Sequence, residues 1–301
     1  MFRRIPALLG LAALATLTAL AGPTAFGQEQ QPEPAVKPDV RIAATISTKP
    51  FLTAAARMMK EDKGLVIAIS PELISAQAIE ALAEDQADLA LLTRSLTLED
   101  RSQYPSLDLT VLPVGMEVVA LAVSNDLWDA GVQSITKAQM RGIYEQKITN
   151  WKDLGGPDQK ITLFSFQQGA GVWEIFAEWL YGDNRKAPLP KVEIVATSQD
   201  ARDDLEFTPG SIAPIAAGFA DGSRCHALGI KFPDHVAELS PKQVAAGGYP
   251  LVRPIIALTI GRPTLRIRAV TEFFTGPAGQ TLLKTNGALG LDAVPTPTPE
   301  P

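Results

Sequence analysis

The stretch SITKAQMRGIYEQKITNWKDLGGPDQKITLFSFQQGAGVWEIFAEWL, residues 134–180, is the most informative part of this sequence for its fold. It predicts a helix, a tight turn, a strand, a glycine-containing bend and a second helix, in that order. Thr136 is a favourable N-cap residue, because Gln139 three positions later completes a capping box. The alternation over residues 161–166 is typical of a strand, and the glycines of the bend let the backbone turn into the next helix. The pattern predicts an α/β protein.

The length and composition of the chain indicate a globular protein with two lobes. Its 301 residues exceed an average single domain and are sufficient for two hydrophobic cores. Hydrophobic residues make up 46% and charged residues 20%, which is ordinary for a folded protein. The formal net charge of −6 disfavours nucleic acid and anionic membranes as partners, so we expect no nucleic-acid binding. A small anionic ligand remains compatible, because a local site can be positive on an acidic protein.

Both ends of the chain carry segments that we expect to lie outside the folded lobes. Residues 1–27 combine two arginines, a long apolar run and a small-residue cleavage site, which is typical of a signal peptide. A retained anchor helix is the alternative, because the apolar run is near membrane-spanning length. In both cases the folded part is expected in the periplasm. Residues 28–39 predict a flexible linker, and residues 293–301 a proline-rich, disordered tail.

The middle of the sequence resembles a known protein family. The segment ITNWKDLGG (148–156), which follows the predicted helix at Thr136, is similar to the Gly-Lys-Ile-Thr-Asn-Trp-x-Asp-Leu-Gly-Gly signature of periplasmic phosphate-binding proteins of ABC transporters. The segment YPLVRP (249–254) is similar to their Tyr-Pro-Leu-x-Arg-Pro, and the resemblance covers about residues 40–292. It implies a two-lobed type II periplasmic-binding-protein fold with a hinge and an inter-lobe cleft. Lobe one would comprise residues 40–117 and 249–292, and lobe two residues 118–248.

The resemblance implies ligand-binding positions in lobe one. Ser47 and Thr48 lie in the turn between a predicted strand and helix, where the family has a ligand-contacting threonine. Ser75 matches a ligand-binding serine at a helix start, and Arg94 matches a position whose side chain faces the cleft. The donors of an arginine suit an oxyanion. The alternatives are that Ser47 or Thr48 caps the helix and that Arg94 is a solvated loop residue.

In lobe two the resemblance places the ligand at the glycine bend, on Gln168, Gly169, Ala170 and Gly171. The polar side chains of the family's bend are missing here: its arginine position is Phe166 and its threonine position is Val172. Losing three hydrogen bonds of roughly 1.5–3 kcal/mol each would weaken oxyanion binding on the order of 10³-fold or more. Both glycines remain, so backbone N–H groups at the helix N-terminus could still bind an anion.

Two interpretations of the apolar replacements stay open. Phe166, Val172 and Trp173 could line a pocket for a partly apolar ligand, with Arg94 binding its carboxylate. Alternatively they pack in the core of lobe two, which is the interpretation that we favour for Trp173.

The sequence offers no pattern for catalysis, a metal or another cofactor. Cys225 is the single cysteine, which excludes an internal disulfide, and we interpret it as a small residue in a connecting loop. With His226 and His235 as the two histidines, a multi-histidine metal site cannot be built and a Ser-His-Asp triad is poorly supported. We expect no enzyme activity, no cofactor and no metal.

Two functions are compatible with these observations. The first is a periplasmic solute-binding protein, expected to be a monomer. It would bind a small anion, phosphate or another oxyanion, in the cleft and deliver it to an ABC permease in the inner membrane. The second is a divergent relative that has lost phosphate binding. It would bind a partly apolar carboxylate or act as a non-transport sensor or accessory protein.

Overall fold

The computed structural model of this protein describes residues 37–71, 73–188 and 192–295. The predicted signal peptide (1–27), the predicted linker up to residue 36 and the predicted tail from residue 296 lie outside these ranges. The described residues belong to one structural unit that begins at Lys37. None of the helices in these ranges is long and apolar enough to span a bilayer.

The described chain alternates strands with helices. The strands are β1 (Val40–Ala44), β2 (Ile67–Ile69), β3 (Leu89–Leu92), β4 (Leu109–Ser124), β5 (Ser134–Thr136), β6 (Thr162–Phe166), β7 (Glu193–Val195), β8 (Ser211–Ala216), β9 (Cys225–Ala227), β10 (Gly229–Lys231), β11 (Val236–Ala237) and β12 (Val252–Ile260). The α-helices are α1 (Lys49–Lys63), α2 (Ser75–Ala83), α3 (Leu98–Gln103), α4 (Asn125–Asp129), α5 (Lys137–Tyr144), α6 (Gly171–Tyr181), α7 (Ser198–Phe207), α8 (Pro241–Ala245), α9 (Leu265–Thr275) and α10 (Pro277–Thr285). Short 3-10 helices cover Ile46–Thr48, Trp151–Leu154, Asn184–Lys186, Ala217–Phe219 and Leu291–Ala293.

The stretch 134–180 forms the elements that its sequence predicts. The Thr136 hydroxyl accepts a hydrogen bond from the Gln139 N–H, and the Gln139 side chain accepts one from the Thr136 N–H, so the capping box at the start of α5 is confirmed. Gly155 ends the following 3-10 turn with a φ of 83°, a conformation that favours glycine. Strand β6 and helix α6 then follow as predicted.

Strand β4 is one continuous strand of 16 residues, although it contains Pro113. The register of β4 against β12 shifts between Ile255 and Ile256, opposite Pro113 and Gly115. A β-bulge at this point explains why a proline, which cannot donate a ladder hydrogen bond, is tolerated inside the strand.

Strand β4 joins two sets of strands in one mixed sheet. The order is β2-β1-β3-β12-β4-β8-β6-β7, and β9 also pairs with β4. Residues 109–118 of β4 pair with β12, whereas residues 119–124 pair with β8 and β9. A separate three-stranded sheet has the order β11-β10-β5. The chain therefore passes from one set of strands to the other in the middle of β4.

The buried side chains follow the same division. Val114 and Ile255 pack with β1, β3, α1 and α10, whereas Val118 and Leu251 pack with β6, β8 and α6. Ala293, the first residue of the predicted tail (293–301), is fully buried in the second of these cores, so the folded part of the chain includes this residue. The limits predicted for the two lobes stay predictions.

Candidate functional site

A cavity of about 400 Å³ lies where the two cores meet. Its walls come from the turn before α1, the middle of β4, the glycine bend before α6, the start of α7 and the end of α10. Residues on these walls include Ser47, Thr48, Glu117, Val119, Phe166, Ala170, Gly171, Val172, Thr197, Ser198, Gln199, Thr285, Asn286 and Gly287. Glu117 is the single charged side chain among the described residues that line the cavity.

Three helices begin at this cavity. Thr48, Ala170 and Thr197 occupy the N-cap positions of α1, α6 and α7, and all three line the cavity. Thr197 caps α7 by accepting from the Asp200 N–H, but Ala170 has no side-chain oxygen to cap α6. The first N–H groups of a helix lack intrahelical acceptors and carry partial positive charge. Together these ends form surroundings that favour an anion over a cation.

Four of the eight predicted site residues lie on the cavity: Ser47, Thr48, Ala170 and Gly171. The alternative that a side chain of this turn caps α1 is confirmed only for the position and not for the hydrogen bond. Thr48 holds the N-cap position without a side-chain capping bond, and its hydroxyl donates instead to the Thr45 carbonyl oxygen at 2.8 Å. The Ser47 oxygen accepts from Arg253 at 3.4 Å. Both hydroxyls are therefore fixed by tertiary or turn contacts rather than by the helix.

The other four predicted residues, Ser75, Arg94, Gln168 and Gly169, are not among the described residues that line this cavity. Ser75 is the first residue of α2, and Gln168 and Gly169 are exposed. The Arg94 guanidinium donates to both carboxylate oxygens of Asp100, and this contact holds the pKa of Asp100 well below its usual range. Arg94 is thus an ion-paired residue at the start of α3, and ligand binding by these four residues stays a prediction.

The apolar replacements at the bend divide between core and cavity. Trp173 is buried among the residues around β6 and donates its indole N–H to the Tyr144 hydroxyl at 3.1 Å, so the packing interpretation is confirmed for this residue. Val172 lines the cavity. Phe166 does both, since it is 3% exposed in the same core and forms part of the cavity wall.

A charged cluster that the sequence did not predict lies beside the cavity. Arg253 on β12 lies directly opposite Glu117 on β4, and its Nε donates to the Glu117 carboxylate. Its Nη1 donates to Glu174, in the first turn of α6, at 2.8 Å. Burial alone would lower the pKa of Arg253, but the two carboxylates outweigh burial and hold it above its usual value. The sequence contains this arginine in the YPLVRP segment, but its partners lie 136 and 79 residues away, so no local pattern identifies them.

The single thiol is a core residue. Cys225 lies on strand β9 rather than in a loop, so that part of its interpretation was wrong. It is fully buried, and burial raises its pKa to about 12, which disfavours the reactive thiolate. The His226 ring stacks on Trp128 with centroids 4.5 Å apart. Within the described ranges, no group of three or more His, Cys, Asp or Glu side chains is arranged to hold a metal ion.

Comparison with known proteins identifies the family. The sequence model of the PBP superfamily domain matches residues 29–277, which is most of the chain. This chain belongs to the PBP superfamily. The phosphate-binding protein PstS of Bacillus subtilis is 33% identical over 123 residues, which are 41% of this chain and 39% of that protein. PstS of Borreliella burgdorferi is 24% identical over 166 residues, 53% of this chain and 59% of that protein. The matches therefore span less than two thirds of these relatives.

Solved structures with a similar fold match a larger share of this chain than the sequence relatives do. The ABC-type phosphate transport receptor from Vibrio cholerae has a TM-score of 0.64 at 20% identity, covering 83% of this chain and 99% of that chain. As a PBP superfamily member with this likeness, the protein has the predicted α/β, two-lobed type II fold. The cavity lies where the resemblance predicts the inter-lobe cleft, beside the middle of β4 and the start of β12. These two segments, which contain Glu117 and Arg253, stay a prediction for the hinge.

Proposed function

We propose that this protein is the solute-binding protein of a phosphate-type ABC transport system and binds a small anion, phosphate or another oxyanion, in the inter-lobe cleft. The observation that carries the proposal is the meeting of the α1, α6 and α7 N-termini at one cavity. A ligand held from both lobes favours the closed arrangement, because it binds that arrangement more tightly than the open one. The relatives, which are named as phosphate-binding proteins, support phosphate as the first ligand to test.

The proposal includes the setting of this function. The protein would act in the periplasm after export, as a monomer without enzyme activity, and would deliver its ligand to a permease in the inner membrane. These partners and this location rest on the family resemblance and on the predicted signal peptide.

A ligand screen tests the proposal. The mature protein would be heated with phosphate, sulfate and small carboxylates in turn, and each hit would be titrated by calorimetry. A ligand that binds the native state alone raises the melting temperature by mass action. We expect phosphate or another inorganic oxyanion to give this shift with one site per chain. A response to apolar carboxylates alone would instead support the divergent-relative function, and no response to any anion would contradict cleft binding.

A further inference from the structure

Arg253 connects the hinge to both lobes at one wall of the cleft. Two of its nitrogens donate to Glu117 on β4 and Glu174 on α6, while Nη2 donates to the Ser47 oxygen in the turn before α1. These partners lie 136, 79 and 206 residues from Arg253 in the sequence. The side chain is 19% exposed, so the cluster is largely desolvated. Because two carboxylates hold the planar guanidinium, the direction of Nη2 is fixed.

This contact determines what the Ser47 hydroxyl can do. A serine hydroxyl has one hydrogen to donate and two lone pairs that accept. Since Arg253 donates to the Ser47 oxygen, the Ser47 hydrogen remains for another acceptor, and Ser47 lines the cavity. The neighbouring Thr48 differs, because its hydrogen is already donated to the Thr45 carbonyl oxygen. Ser47 is thus the hydroxyl of this turn that can donate into the cleft.

The same arginine lies against the start of α6. A Cβ at position 171 would be 2.9 Å from Arg253 Nη2 and 2.8 Å from the Ser47 Cβ, so glycine is needed for this close approach. Gly171 and Val172, whose N–H groups belong to the uncapped first turn of α6, also line the cavity. No lysine or arginine is among the described residues on the cavity wall. Arg253 contacts the cavity wall at Ser47 and Gly171, where the Ser47 hydroxyl lies beside the first N–H groups of α6.

We propose that Arg253 is a positioning residue for anion binding. Held by Glu117 and Glu174, it donates to the Ser47 oxygen and so directs the Ser47 hydroxyl, beside the first-turn N–H groups of α6, toward an oxyanion in the cleft. A hydrogen bond from a cation polarises the hydroxyl and strengthens the bond that it donates in turn. This inference rests on the proposed function, since it assigns donors to the same anion.

The test is a double-mutant cycle with inorganic phosphate as the probe. One arm neutralises the cluster with Arg253→Met, Glu117→Gln and Glu174→Gln together, because replacing a buried ion cluster by neutral groups of similar size preserves folding better than removing one partner. The second arm is Ser47→Ala, and the third combines both. The control neutralises a matched cluster away from the cleft, Arg41→Met with Asp85→Asn and Asp88→Asn, where one arginine also binds two carboxylates. Circular dichroism and melting temperature verify folding of each variant.

We expect the neutralised cluster and Ser47→Ala each to raise the phosphate Kd by about 10- to 100-fold, and the control to leave it unchanged. Since the neutralised cluster and Ser47→Ala both act through the Ser47 hydroxyl, the combined variant should bind phosphate only slightly more weakly than either variant alone. The cluster variant has lost a net negative charge, which by itself would favour an anion, so weaker binding cannot come from charge balance.

The outcomes separate the two proposals. Phosphate binding by the cluster variant at the wild-type Kd would overturn the role of Arg253 and leave the proposed function intact. Fully additive losses would show that Arg253 does not act through Ser47, which also overturns the inference. Absence of phosphate binding by the wild-type protein would overturn phosphate as the ligand and the inference with it.

Discussion

At the scale of single residues, the cleft combines groups that attract and repel an anion. The helix N-termini and Arg253 favour negative charge, but Glu117 lies on the cavity wall and Glu174 lies in the first turn of α6. Glu174 interacts favourably with the helix dipole and with Arg253 when no ligand is present. An oxyanion bound as proposed would therefore compete with this carboxylate for the positive end of α6.

This competition makes Glu174→Gln a test of where the anion binds. Glutamine can still accept the hydrogen bond from Arg253, so the guanidinium stays in place, but one negative charge beside the ligand is removed. We expect phosphate to bind about two- to ten-fold more tightly, measured by calorimetry at low ionic strength. Glu178→Gln is the control, because Glu178 is exposed one turn later on the same helix. Weaker binding by Glu174→Gln would argue against an anion at this helix end.

At the scale of elements, the start of α3 shows how a predicted binding residue acquires a structural role. Thr97 and Asp100 form a capping box, and Arg94 donates to the Asp100 carboxylate, whose side chain is 11% exposed. The carboxylate thereby satisfies both the helix N-terminus and the arginine. The sequence signal for this arrangement was the Thr97-Leu98-Glu99-Asp100 segment, which places the carboxylate of a capping box, Asp100, six residues after Arg94.

The Asp100 contacts should make stability depend on pH. The pKa of this carboxyl is lowered from its ordinary 3.8, first by Arg94, so below about pH 4 the unfolded chain binds more protons than the folded one. The stabilisation is present above that pH and is lost as the pH falls. Asp100→Asn should lower the free energy of unfolding by about 1–3 kcal/mol at neutral pH, and the difference from wild type should shrink below about pH 4.

Urea denaturation at several pH values measures this difference. Asp129→Asn, at an exposed position, is the control for removing a surface carboxylate. A difference between wild type and Asp100→Asn that stays constant down to about pH 3 would contradict the assigned role of Asp100.

At the scale of the whole molecule, the proposed function depends on the approach of the two lobes. Ser47, predicted for lobe one, and Gly171, predicted for lobe two, come together at the cavity, and the paired strands β4 and β12 pass beside this contact. Both sides of the contact carry donors that the proposed ligand would use. Closure and binding would therefore be one event, as expected when a ligand touches both lobes.

Gly171→Ala should separate closure from folding. The new Cβ would meet Ser47 and Arg253 below 3.0 Å, so these two sides of the cavity could not approach as closely as they do in this structure. We expect an arrangement with the two sides further apart to accommodate the methyl group. We expect phosphate to reduce the radius of gyration of the wild type, measured by small-angle X-ray scattering, and to reduce it less in Gly171→Ala. The phosphate Kd should rise about ten-fold or more, with little change in the melting temperature without ligand.

The control for this change is Gly142→Ala in α5, where the nearest atoms to a new Cβ belong to the Ile148 side chain and not to the cavity. This control should show the wild-type decrease in radius of gyration on phosphate addition and the wild-type phosphate Kd. Full compaction and wild-type affinity in Gly171→Ala would show that the Ser47–Gly171 contact is not required for closure.

The sequence by itself determined the local elements and, through the family resemblance, the fold. The capping box of Thr136 and Gln139, the turn at Gly155 and the start of α6 after the glycine bend depend on residues that are near neighbours in the chain. Local patterns report such elements because the hydrogen bonds and backbone angles concerned span only a few residues. The same patterns placed Ser47, Thr48, Ala170 and Gly171 at helix starts.

Only the tertiary structure decided which of these starts meet and which charges accompany them. Arg94 matched a cleft position in the sequence but binds Asp100. Arg253 was part of the YPLVRP resemblance with no role assigned to it, but it contacts Ser47, Glu117 and Glu174. An arginine can bind any carboxylate within hydrogen-bond distance. Strand register and the packing of the elements decide which carboxylates lie at that distance. No local pattern encodes a contact between residues 206 positions apart, because it depends on how the sheet places β12 beside the turn that precedes α1.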